Sequence, residues 1–243
     1  MGQTYMLRRN GVYYESATSF FPAVGALDWT LGHETLPRRN LEEAFGRKVD
    51  SAEARRCFSC HSTGAVWNSA GQVESVSNGV QCIQCHSGAL QHMNAAKSGD
   101  FATARMTKLS QWSTEELAGL CSKCHQSWED VTVKGPRGVL NVRAQLYRLT
   151  NSLCYDSADR RISCTACHDV HGDLNRDSSS YDSKCQACHP TGGQSGVRGA
   201  KACPVAQDRC VTCHMPNVEV PGLHYSFSDH RIRIVRPGDK YPD

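Results

Sequence analysis

The chain has 243 residues, a formal charge of +3, 39% hydrophobic residues and 14 cysteines. That length suits one large domain or two small ones, but the apolar fraction is lean and the cysteine count far above ordinary cytosolic usage, so disulfides, metals or covalent cofactors must supplement the core. No stretch approaches the ~18 consecutive apolar residues of a transmembrane segment, and the nearly balanced charge supports no nucleic-acid partner.

Met1 to Met6 lack the apolar region of a secretory signal. From Thr4 to Glu15 two short runs flank Asn10-Gly11, the signature of a β-hairpin. Asn40 followed by Glu43 reads as a helix N-terminal capping box. A helix is expected to continue from there, with a break, through Ala52 to Arg56 and into the first of a series of cysteine motifs.

Six copies of Cys-x-x-Cys-His use twelve of the cysteines. They are Cys57, Cys60 and His61; Cys82, Cys85 and His86; Cys121, Cys124 and His125; Cys164, Cys167 and His168; Cys185, Cys188 and His189; and Cys210, Cys213 and His214. Two thiols at i and i+3 reach the two vinyl groups of one porphyrin, and the next residue places an imidazole beneath the same iron. Zinc also takes paired cysteines, but it has no need of a histidine directly after each pair. With 11 histidines in the chain, six such coincidences have a probability on the order of 10⁻⁸ from composition. Six haem c groups are therefore expected. With two propionates per haem and about one positive charge on each ferric centre, they would move the net charge to about −3. Because covalent haem attachment follows export, a longer N-terminus is expected upstream of Met1, and the mature chain belongs in the periplasm or outside the cell.

Five histidines lie outside the motifs: His33, His92, His171, His224 and His230. A lone histidine is ordinarily a surface or core residue, but each low-spin iron takes a sixth ligand and imidazole is a common one. All five are candidate distal ligands. His171, three residues after His168, is placed to reach a neighbouring haem rather than the far side of its own. Five donors for six irons leave one iron to a methionine, a vacant position, another chain or a segment upstream. Met106 and Met93 are the thioether candidates, Met106 the nearer to motif three, although methionine is more often a packing residue. Cys154 and Cys203 remain, either as a disulfide or as two thiols.

Ser113 with Glu116 marks a helix start leading into Cys121, and residues 134–138 read as a turn or loop. The motifs begin 25, 39, 43, 21 and 25 residues apart, too irregular for a solenoid repeat. The spacing suggests one cluster of motifs one and two, another of motifs four to six, and an isolated motif three. The expected fold is mainly α with extensive irregular structure: short helices and loops wrapped around a closely packed haem array, little sheet, and the N-terminal β-hairpin. Residues 1–50 form a haem-free segment and residues 51–243 the hexahaem domain.

On these motifs the chain resembles the multihaem c-type cytochrome superfamily that includes the tetrahaem cytochrome of ammonia oxidation and the haem-rich nitrogen-cycle reductases. The resemblance covers about residues 50–235. It rests on the stretch from Cys57 to Gly64, on Gly79 to His86 followed by His92, on Cys167 to His171, and on Cys213 to Pro216 followed by Phe227 to Ile232. It implies electron transfer through closely spaced haems, with redox proteins or terminal acceptors as partners. One version is a homo-oligomer or extracellular conducting filament in which a histidine crosses between protomers. The alternative is an oxidoreductase acting on a small nitrogen or oxygen compound at one open haem, with Arg143, Tyr147 and Arg148 lining the site. The bland role of those three is propionate pairing and packing. The chain has no Cys-x-x-Cys-Lys motif of the kind that marks the active haem of one nitrite-reductase family.

Overall fold

In the computed structural model, which describes residues 2–33, 37–190, 196–197 and 200–242, the chain opens on β1 (Gln3–Arg9), paired antiparallel with β2 (Val12–Phe21). The connecting residues Asn10 and Gly11 both have positive φ, 49° and 78°, as a two-residue turn matched to the right-handed strand twist requires. β3 (Ala26–Trp29) pairs with the later half of β2. After the one-turn helix α1 (Leu41–Ala44), β4 (Arg47–Val49) pairs with its earlier half. Asn40 accepts from the Glu43 amide as a cap should, but the Glu43 carboxylate receives the Arg39 amide rather than that of Asn40. Gly46 precedes β4 at φ +127°, where a Cβ would stand 1.9 Å from the Glu15 carbonyl oxygen. Glycine is therefore required for β4 to approach β2.

Asp50 caps α2 (Ser51–His61) by accepting from the Glu53 amide at 2.8 Å. The helix is seated by a small core of Tyr13, Val49 and Ala54, with Met6, Phe58, Trp67 and Val73 packed around it. The N-terminal sheet thus supports the helix whose last turn carries motif one. β5 (Ser62–Trp67) and β6 (Val73–Asn78) form a hairpin leading to α3 (Cys82–Cys85) and α4 (Ala89–Lys97).

α5 (Thr114–His125) begins with a full capping box: Ser113 accepts from the Glu116 amide and Glu116 accepts from the Ser113 amide. Its inner face buries Leu117 and Ala118. A π-helical turn over Asp130–Lys134 and a 3₁₀ segment over Gly138–Arg143 bring in buried Val131 and Val142. Then follow α6 (Gln145–Thr150), α7 (Cys164–Cys167), α8 (Asp182–Gln186), α9 (Cys210–His214) and the paired strands β7 (Asn217–Val220) and β8 (Tyr225–Ser228). Two compact units result. The first comprises Met1–Leu109 with Glu219–Tyr225, the second Ser110–Val218 with Ser226–Asp243.

The expectation of a mainly α chain with little sheet is corrected here. Helix accounts for 35% and strand for 19%, with several antiparallel sheets, among them the one that contains the N-terminal hairpin. The motifs ask for very little helix, since one turn brings i, i+3 and i+4 to the same side. The connecting runs that carry no motif contain β-branched and aromatic residues and pair as hairpins.

Candidate functional site

Each motif is a single helical turn or the end of a longer helix. In motifs two, four and five the histidine amide donates to the first cysteine's carbonyl, at 2.8 Å (His86 to Cys82), 2.9 Å (His168 to Cys164) and 2.9 Å (His189 to Cys185). Motifs one and three occupy the last turns of α2 and α5, and motif six is α9. The two thiols of a motif therefore share a side with its imidazole, the arrangement that a porphyrin edge and its iron require. The first unit holds motifs one and two with His33, His92, His224 and Met106. The second holds motifs three to six with His171 and His230.

His168 and His230 come together with ring centroids 6.1 Å apart. Two imidazoles on opposite faces of one metal, each bonded at about 2 Å, have centroids about 6 Å apart, a separation that this pair matches. Burial pushes both rings below the usual imidazole range, and the neighbouring His125 acts on each in the same direction. Both shifts favour the neutral ring, the form in which an imidazole binds a metal.

Nitrogen identity sorts the other rings. The His230 Nδ1 lies 3.0 Å from the Ser228 carbonyl, His92 Nδ1 3.0 Å from that of Ala104, and His214 Nδ1 2.9 Å from that of Arg233. His189 Nδ1 has a longer contact, 3.4 Å, to the Lys201 carbonyl. A carbonyl only accepts, so in the neutral ring Nδ1 carries the hydrogen and Nε2 the lone pair that binds a metal. His33 and His224 show the reverse. Their Nε2 atoms face carboxylates, His33 to Glu15 at 3.2 Å and His224 to Asp28 at 2.6 Å, leaving the lone pair on Nδ1. His33 is 1% exposed, and its buried Nδ1 has no hydrogen-bond partner among the described residues. His171 is exposed in the turn after α7. Met106 is 38% exposed, in the extended stretch before a 3₁₀ turn at Leu109–Gln111.

Four of the motifs pair through their first cysteines. Cys121 hydrogen-bonds to Cys164, which lowers Cys164 to about 7 and raises Cys121. Motif three therefore lies beside motif four rather than apart, contrary to what its sequence spacing suggests. Cys185 and Cys210 are in similar contact. Burial, followed by the hydrogen bond to Asp182, raises Cys210 to about 12. Burial also raises Cys57, helped by the nearby Glu15 and Glu53 charges. Cys154 lies near Cys185 and Cys188, and it is not bonded to Cys203.

Two buried acids escape sequence reasoning. Asp182 accepts from the Arg209 and Cys210 amides at 2.7 and 2.9 Å, so it caps α9 from a distant part of the chain and is held below the usual carboxylate range by those amides. Asp229 takes both arms of Arg148 at 2.9 Å. Arg148 is thus committed to a carboxylate of the protein rather than to a propionate. A lone Asp carries no local signal of such remote partners, although its position directly before His230 was visible.

Residues 30–87 match the family model described as cytochrome c554 and c-prime. No curated protein and no solved structure matches the chain. The matched segment contains motifs one and two. It supports a c-type cytochrome, with covalently bound haem c and its iron, haem-based electron transfer and redox partners. Proteins of this kind are typically exported. Among the described residues, no helix is long and apolar enough to cross a membrane.

Proposed function

We propose that the chain is a hexahaem electron carrier, working in the periplasm or outside the cell, in which residues 51–243 bind one haem at each motif and residues 1–50 form a haem-free support. Haem supplies a one-electron iron couple whose potential the protein sets through ligation, burial and nearby charge. The Cys pair of each motif anchors the porphyrin and the motif histidine is the proximal ligand. His33, His92, His171, His224 and His230 are the distal donors, His33 and His224 through Nδ1 or after releasing their carboxylates.

The observation that carries this reading is the His168–His230 separation of 6.1 Å. An iron held between two imidazoles has no position for substrate, so its role is to pass electrons. The cysteine contacts between motifs three and four and between five and six bring the covalent edges of neighbouring haems together, which favours hopping within each pair. The distal shortfall gives the second reading, an oxidoreductase at one open haem, and gives the oligomer or filament its rationale as the source of a borrowed histidine.

Mass spectrometry of the matured protein, with EPR and added nitrite, nitric oxide or hydroxylamine, tests both readings. Six haems, all low-spin and inert to those ligands, is the result expected of a carrier. A high-spin centre that binds them transfers the assignment to catalysis, and four or fewer haems overturns the hexahaem count. Low-spin character that appears only in the assembled fraction identifies a ligand crossing between chains.

A further inference from the structure

Residues 228–233 form a strap that contacts the motif histidines of two of the proposed haems. Its His230 faces His168 of motif four. Its Arg233 carbonyl anchors Nδ1 of His214 in motif six at 2.9 Å, and the Arg233 amide returns a bond to the His214 carbonyl at 3.2 Å. One short segment thus presents a distal ring to one haem and orients the proximal ring of another.

The strap is held from below by a fully buried ion pair. Arg148, 1% exposed, gives Nε and Nη2 to the two oxygens of Asp229, 0% exposed, both at 2.9 Å. Its remaining arm donates to the Pro242 carbonyl at 2.7 Å, and its guanidinium stacks over Tyr241 at 4.6 Å. Asp229 also accepts from the Arg231 amide at 3.0 Å and from Arg233 Nη1 at 2.5 Å. Ser152 adds a second fastening, donating to the His230 carbonyl at 3.2 Å and accepting from the Ile232 amide at 2.8 Å. Desolvating a carboxylate is costly unless its lone pairs are filled. Here two of the donors come from Arg148 and two, the Arg231 amide and Arg233 Nη1, from the strap itself, which ties strap geometry to ion-pair geometry.

We infer that Arg148, Asp229 and Ser152 are positioning residues that jointly set the ligation and potential of the haems of motifs four and six, an inference resting on the haem-carrier reading above. Replacing Asp229 by Asn removes one negative charge next to His230 and from the strap whose Arg233 seats His214. Since the ferric state is the more positive, it is destabilised and both potentials rise. The imidazole supports loosen at the same time, as outer-shell partners of a metal ligand do when removed.

The experiment uses matured holoprotein of wild type, Asp229→Asn, Arg148→Lys and Ser152→Ala. It measures haem content by mass, EPR spectra and a potentiometric titration, with His230→Ala locating the motif-four signal. The expected result is unchanged haem content, a displaced or lost low-spin signal from the motif-four haem, and raised potentials for two haems while four stay in place. Arg148→Lys, which keeps the charge without the fork, gives a smaller shift. Ser152→Ala, which leaves the ion pair intact, perturbs the same two signals more weakly and covers the case in which Asp229→Asn fails to fold. Signals and potentials unchanged in Ser152→Ala and Arg148→Lys overturn the inference, as does an equal disturbance of all six haems. A wild type without haem instead overturns the carrier reading itself.

Discussion

The imidazole rings of His168 and His230 lie with centroids 6.1 Å apart and planes tilted by 39°, although one belongs to a motif turn and the other to a strap beyond β8. His230→Ala should therefore convert one haem to high spin while attachment of all six persists, because attachment needs only the motif. Pyridine haemochrome content and the EPR spectrum check this together. An unchanged spin state would reduce His230 to a structural residue.

Ala54, 0% exposed, lies where α2 meets Tyr13 and Val49. Ala54→Leu inserts volume into a packed junction and should cost roughly 1–3 kcal/mol, seen as a lower Tm. Because α2 ends in motif one, the loss should also lower haem occupancy at Cys57 and Cys60 in peptide mapping. A wild-type Tm would mean that the junction is loosely packed.

Asp182→Ala leaves the Arg209 and Cys210 amides without their acceptor and loosens the turn of motif six. The expected outcome is a larger fraction of chains lacking the haem at Cys210 and Cys213, with motif five less affected. Asp182→Asn, which keeps one strong acceptor oxygen, should fall between the two. Equal loss at every motif would indicate general misfolding instead.

Arg47 bridges Glu15 and Glu53, and its hydrogen bond holds the Glu53 carboxyl below the usual range, with burial opposing it. A depressed folded pKa contributes stability above the unfolded value of about 4.3 and loses it as pH falls through the folded value. Arg47→Leu should thus lower Tm near neutrality and flatten its decline on acidification. Parallel Tm–pH curves for variant and wild type would exclude this linkage. The exposure of Arg47, 39%, keeps the expected effect small.

The single-turn form of the Cys-x-x-Cys-His motifs, the Asn10-Gly11 turn and the Ser113–Glu116 cap were legible in the sequence because each depends on residues close together in the chain. Covalent attachment demands that compactness, since two thiols and an imidazole must meet one porphyrin. The pairings of Cys121 with Cys164 and of His168 with His230 were not legible, nor were the ties from Arg148 to Asp229 and from Asp182 to α9. The strands after motif one were missed too, because their pairing outcompeted the expected loops. These depend on where the chain returns to itself, and a histidine or aspartate reads the same locally whether its partner is solvent, a carbonyl or a ring across the fold. Local chemistry therefore determined what each motif can hold, while tertiary structure decided which imidazoles face each other and which buried charges hold them there, because burial and distance between remote residues exist only in the folded chain.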